Sequence, residues 1–223
     1  MKRIISAFLA LFGVSAAAHG AAPVQTIDLK SIQFTMPTVA ADELQFVIPT
    51  KESFEGAPQF HEDEWCQLEF FPRNRLSEIQ GLLAEYKAFE QKHRTKGGWS
   101  DIYVRRIARK PVVEGADAER VLAEAVHANV LPAPILGTTS RPLGQVKDGF
   151  TLQLPGSELL YGVRTGEGAA SLGAIVGRGG DDSQLTKAFI TLANKQSLIL
   201  VDWRAQQLLV SVNENGQINA WRP

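Results

Sequence analysis

Residues 198–221 read LILVDWRAQQLLVSVNENGQINAW, and this stretch decides the fold class. Leu198 to Trp203, Gln207 to Asn213 and Gln217 to Trp221 are three short runs rich in large apolar and β-branched residues. Asn215-Gly216 between the last two is a hairpin signal, because glycine adopts the positive φ that tight strand connections require. Two registers compete. A two-residue loop sets Val212 against Asn219 and Val210 against Trp221. A three-residue loop with Gly216 left-handed sets Val212 against Ile218, Val210 against Ala220 and Leu209 against Trp221. The second puts apolar residues opposite apolar residues and is the expected one. The C-terminal end is therefore read as an antiparallel meander.

Upstream of the meander, 184–194 reads as a helix announced by the capping residues Asp181, Asp182 and Ser183. Short strands are expected near 149–154, 158–164 and 171–177. The clearest helix runs from 75 to 94, with Leu76, Ile79, Leu82, Leu83, Tyr86, Phe89 and His93 at helical spacing. Lys92, His93 and Arg94 suit the negative end of its dipole, and Gly97-Gly98 stops it. Strands at 64–71 and 101–109 flank this helix. The unit is either a parallel βαβ crossover or a helix laid across antiparallel strands. A second helix fits 116–129. Residues 21–60 read as extended: Ile32, Phe34 and Met36 alternate up to Pro37, and Leu44, Phe46 and Ile48 up to Pro49. Residues 50–63 read as a loop. Pro132, Pro134, Gly137, Pro142 and Gly144 mark 131–144 as a crossing loop. The expectation is one α+β domain over 21–223, or two lobes, 21–130 and 145–223, joined by that loop.

The first twenty residues have another character. Lys2 and Arg3 precede an apolar stretch from Ile4 to Val14, followed by small residues. That is the pattern of a cleavable signal peptide, and its apolar part is shorter than the roughly 20 residues a bilayer span needs. Ala18 and Gly20 direct a cut before Ala21; Ala16 and Ala18 direct one before His19. Losing Lys2 and Arg3 moves the net charge from −1 to −3. A periplasmic address follows, with no membrane insertion after cleavage. The absence of basic excess argues against a nucleic-acid partner. A single cysteine, Cys66, leaves no intramolecular disulfide. Strand alternation places Cys66 on a buried face with Leu68 and Phe70.

Candidate chemistry fails on spacing. His61-Glu62-Asp63-Glu64 has one histidine where a zinc helix needs two. Ser171 sits in Ala-Ala-Ser-Leu-Gly, but no histidine follows it, against the chain order of a nucleophile elbow. The glycine-rich stretches at 166–173 and 177–180 lack the Gly-Lys-Ser/Thr ending of a phosphate loop. No catalytic residue, metal or cofactor is assigned.

Charge is unevenly distributed. From Asp42 to Glu64 there are seven acids and one lysine, and from Arg73 to Lys110 ten bases and four acids. These segments either neutralise each other or polarise the surface. A polarised surface would steer a charged partner, with Glu55, His61, Glu62 and Asp63 as contacts and Trp99 as an aromatic anchor. The expected function is an exported, non-enzymatic binding or inhibitory protein. Its most concrete form is an immunity protein neutralising an interbacterial toxin that acts in the envelope. The alternatives are an accessory subunit of an envelope or secretion assembly, and a small hydrolase with a dispersed carboxylate pair.

Overall fold

The computed structural model describes residues 33–177 and 182–223, all within the unit Gln33–Pro223. The signal-peptide reading of 1–20 and its cut sites fall outside the described residues, as do Ile32 and Asp181. The N-terminal third contributes β1 (Thr38–Ala40), β2 (Phe46–Val47), α1 (Lys51–Gly56), β3 (Gln59–His61), β4 (Leu68–Pro72) and α2 (Leu76–His93). Next come β5 (Tyr103–Arg105), β6 (Val113–Glu114), α3 (Ala118–Val126), β7 (Asn129–Leu131), β8 (Ile135–Gly137) and β9 (Pro142–Val146). The C-terminal third holds β10 (Gly149–Gln153), β11 (Leu159–Thr165), β12 (Gly168–Ile175), α4 (Ser183–Lys195), β13 (Leu198–Asp202), β14 (Gln207–Val212) and β15 (Ile218–Trp221). The fold is α+β, built on a large antiparallel sheet.

That main sheet runs β15-β14-β13-β4-β12-β11-β10-β7, with β6 pairing β12. Side chains alternate across it, as the pleat demands. On one face Phe70, Leu152, Leu160, Leu172, Leu198 and Leu200 pack against α3 and α4. On the other, Phe71, Ile199, Val201 and Trp203 receive Ile79, Leu83 and Tyr86 of α2. The ladder pairs Ile199 with Phe71, Val201 with Glu69, Glu69 with Gly173 and Gly173 with Tyr161. Cross-strand partners share a face, so Tyr161 lies on the α2 side, further along the sheet. There Tyr161, Trp65 and Cys66 pack with Leu136 and Val146 of a second, four-stranded sheet, ordered β2-β9-β8-β3.

The expected helix 75–94 forms as Leu76–His93, and its stripe buries Ile79, Leu83 and Tyr86. It connects β4 to β5, but β5 does not return to the main sheet. It pairs in parallel with β1 in a separate two-stranded ribbon. The βαβ crossover is therefore absent, and α2 lies across the antiparallel strands β4 and β13. The helix expected over 116–129 is shorter, Ala118–Val126. It stops because His127 turns left-handed at φ 54° and its N–H bonds back to Ala123.

Four other expectations are corrected. Residues 50–63 are not a loop: Thr50 caps α1 by accepting from the Ser53 N–H, and β3 follows. The stretch 131–144 is not a crossing loop: it contains β8 and the start of β9, which pair with each other. Strands from both sides of it, β7 and β10 to β12, share the main sheet. The first extended run is displaced past its proline, to β1 at Thr38–Ala40, and the second shortens to Phe46–Val47. Finally, β4 begins at Leu68, not residue 64. A 3-10 turn at Glu62–Glu64 and a left-handed Cys66 (φ 53°) precede it. The alternation from Cys66 to Leu68 is thereby broken. Cys66 is buried, but among Trp65, Leu136 and Tyr161 and not beside Phe70.

The C-terminal hairpin has Gly216 at φ 77° and pairs Val212 with Ile218, as a three-residue loop requires. A bulge at Val210 then shifts the ladder, so Leu209 faces Ala220 and Leu208 faces Trp221. The bulge sets Trp221 opposite the fully buried Leu208, and both join the α2 cluster.

Candidate functional site

The most unusual interior chemistry lies on the α2 side of the main sheet, where Glu69 is fully buried. Arg109 forms ion pairs with Glu69 and, at 2.5 Å, with Asp42. Burial works against the charge on Arg109, but Glu69 and Asp42 outweigh it and hold the guanidinium firmly protonated. Trp203 Nε1 donates to Glu69 at 3.3 Å, and Trp65 Nε1 to Asp42 at 2.8 Å. Arg105 donates to Thr38 Oγ1 and to the Cys66 carbonyl, both at 2.9 Å, while its guanidinium lies 4.9 Å from the Trp203 ring centre. Tyr161 completes the cluster: its hydroxyl accepts from the Cys66 N–H at 2.8 Å and donates to the Glu64 carbonyl at 3.1 Å. Gly173 makes this possible, because a Cβ there would meet the tyrosine ring at 2.7 Å. Burial, with Glu69 adding to it, pushes the Cys66 thiol well above its ordinary pKa. A buried protonated thiol is a poor nucleophile. This cluster is a clamp joining the segments 38–42, 64–69 and 105–109. Among the described residues, no group of three or more His, Cys, Asp or Glu side chains is placed to hold a metal ion.

The acidic and basic segments meet at Asp42 and Arg109. Glu64 pairs instead with Arg204, at 2.7 Å. His61, Glu62 and Asp63 come together, half-buried, where β3 runs into the 3-10 turn. His61 Nδ1 accepts from the Asp63 N–H at 3.2 Å, and its Nε2 lies 3.3 Å from Thr139 Oγ1. Burial, then the charge of Asp63, raises the pKa of Glu62, while His61 and Arg141 lower it. Glu55 is exposed on α1. Trp99 lies elsewhere, in the turn after α2, where its backbone exchanges two hydrogen bonds with Phe34. It is half-buried there.

Sequence reasoning missed the apolar residues around Glu55. The large hydrophobics exposed among the described residues are Val47 (43%), Ile48 (94%), Phe54 (50%) and Val130 (58%). The first three gather at one corner. Val47 pairs with Gln145, and the Gln145 side chain accepts from Ser53 Oγ of α1 at 2.7 Å. The same amide donates to the Ala133 carbonyl at 2.9 Å. Gly56 abuts Pro132, two residues beyond Val130. Single exposed apolar residues are ordinary, but a group of them on a fixed framework marks a contact surface. Glu52 and Glu55, both exposed, flank Phe54 on α1. The available signal was Phe54 itself, an aromatic set among charges. The alternation of Leu44, Phe46 and Ile48 pointed the wrong way, because β2 ends at Val47 and leaves Ile48 in solvent.

Comparison with protein-family models, with curated proteins and with solved structures finds no match to this chain. Among the described residues no helix is long and apolar enough to cross a membrane.

Proposed function

We propose that this chain is an exported, non-enzymatic binding protein that acts by covering a site on another protein. In its most concrete form it is an immunity protein that neutralises an interbacterial toxin working in the envelope. The observation that carries this reading is the α1 corner, where Ile48 and Phe54 stand in solvent beside Glu52 and Glu55. An aromatic anchor with a charged rim is the usual composition of an interface centre. Glu62 and Asp63, which follow β3, add further negative charge. The leader-like residues 1–20 support export, and the buried state of Cys66 supports a protein that does no thiol chemistry.

The test is co-purification with the product of a neighbouring toxin gene, followed by charge reversal. The triple variant Glu55→Lys, Glu62→Lys, Asp63→Lys is expected to weaken the complex about tenfold or more, chiefly at low salt. Unchanged affinity at low salt would remove these acids from the contact. A stable complex with an envelope machine component, and none with a toxin, would replace inhibition with assembly.

A further inference from the structure

Met36 is one of two methionines in the chain, with Met1 the other. It stands half-buried just before β1, and two nitrogen donors converge on its thioether sulfur. The buried Gln67 amide nitrogen lies 3.2 Å from Sδ. Arg204, exposed in the turn between β13 and β14, brings Nη2 to 3.8 Å. The Gln67 Nε2 has two hydrogens, and the carbonyls of Thr38 at 2.9 Å and Asp63 at 2.6 Å draw on both. The Arg204 Nη2 also has two. One goes to Glu64 Oε1 at 2.7 Å, which leaves the other for the sulfur. A thioether is a weak acceptor. At 3.8 Å the nitrogen stands further off than an N–H···O bond needs, so an oxygen carried by the sulfur would come within its reach.

We propose that Met36 is a modification site, oxidised by hydrogen peroxide to a sulfoxide whose oxygen Arg204 receives. A sulfur lone pair attacks one peroxide oxygen. The S–O bond forms as the O–O bond breaks, and the second oxygen takes up the proton of the first and leaves as water. The thioether loses two electrons and the peroxide gains them. The new oxygen accepts the second Nη2 hydrogen of Arg204 in a charge-assisted bond, and Glu64 keeps the first. Gln67 screens one lone pair of the sulfur, so the oxygen adds at the other and one epimer forms. Methionine oxidation commonly disrupts packing, because it makes an apolar side chain polar. Here it ties the segment before β1 to the β13–β14 turn. The chain's thiol does not compete: Cys66 is fully buried and held protonated. The inference does not depend on the α1 corner.

The purified chain is treated with dilute hydrogen peroxide, mapped by peptide mass spectrometry and melted beside the untreated protein. The expected map shows one oxygen added at Met36 and none at Cys66. After digestion, one of the two epimer-specific methionine sulfoxide reductases clears most of the Met36 sulfoxide and the other clears little. The oxidised protein is expected to melt about 2 °C higher than the untreated one. In Arg204→Ala the oxidised form melts lower than its own untreated form, and in Met36→Leu peroxide shifts nothing. Equal clearance by the two reductases overturns the proposal. So does an oxidised parent that melts lower, or a rise that persists in Arg204→Ala or Met36→Leu. The epimer ratio and the Met36→Leu melt decide the matter even if Arg204→Ala fails to fold.

Discussion

Two regions of this molecule depart from the usual arrangement of charge outside and hydrocarbon inside, in opposite directions. At the clamp, Glu69, Arg105 and most of Arg109 lie inside the protein. At the α1 corner, Ile48 and Phe54 lie outside it. The clamp answers its charges from within the chain: Arg109 sits between Glu69 and Asp42, and two indole N–H groups complete the carboxylates. The α1 corner is also held in place, by the Thr50 cap and by Gln145 reaching both Ser53 and Ala133. Its bonds fix the backbone while its large side chains stay in water. The difference separates architecture from function. A buried charge paired inside the chain serves the fold, whereas apolar side chains held rigidly in solvent are the surface the proposed function gives to a partner.

The comparison is tested most severely at Arg109. Arg109→Met leaves Glu69 buried without its cation and is expected to cost about 3–5 kcal/mol in urea denaturation. A cost below about 1 kcal/mol would mean that the clamp is dispensable, and the contrast would fail on its first side. The second side is tested by Ile48→Asp with Phe54→Glu. Partner affinity is expected to fall by at least about tenfold, the scale of losing a hot spot. Folding stability is expected to stay within about 0.5 kcal/mol of the parent, since both side chains are exposed. A large loss of stability would show the corner to be architecture as well.

The smallest effect is expected at Glu62. Burial and Asp63 raise its folded pKa above the unfolded value. Its ionisation in the native state therefore costs stability. The cost is absent while both states are protonated, grows as pH rises from the unfolded pKa through the folded one, and is constant above that. Glu62→Gln should raise the melting temperature slightly at pH 7, and the gain should vanish below about pH 4. A lower melting temperature at pH 7 would mean that Glu62 is held by favourable contacts and is not kept at a cost.

The sequence revealed elements whose signals are local. α2 was legible because six apolar residues and His93 repeat at helical spacing over five turns, and the last hairpin because Asn215-Gly216 fixes its loop. The bulge at Val210 was not legible, since it answers to α2, which packs over β14 from far away in the chain. The parallel pairings of β1 with β5 and of β3 with β8 were hidden for the same reason: strands of three residues owe their existence to distant partners. The burial of Cys66 followed from its neighbours, but the 3-10 turn before it changed the face. Of the candidate site, Glu55, Glu62 and Asp63 were legible as charge. Ile48 and Phe54 were not, because periodicity finds the residues a fold buries, and these it leaves out.

The most direct measurement is hydrogen exchange on the protein alone and in complex with the partner protein that co-purifies with it. Slowed exchange is expected over 46–57 and 61–63 in the complex, with the clamp strand β4 protected equally in both states. An α1 corner that exchanges as freely in the complex as alone would contradict the assignment of contact to that surface.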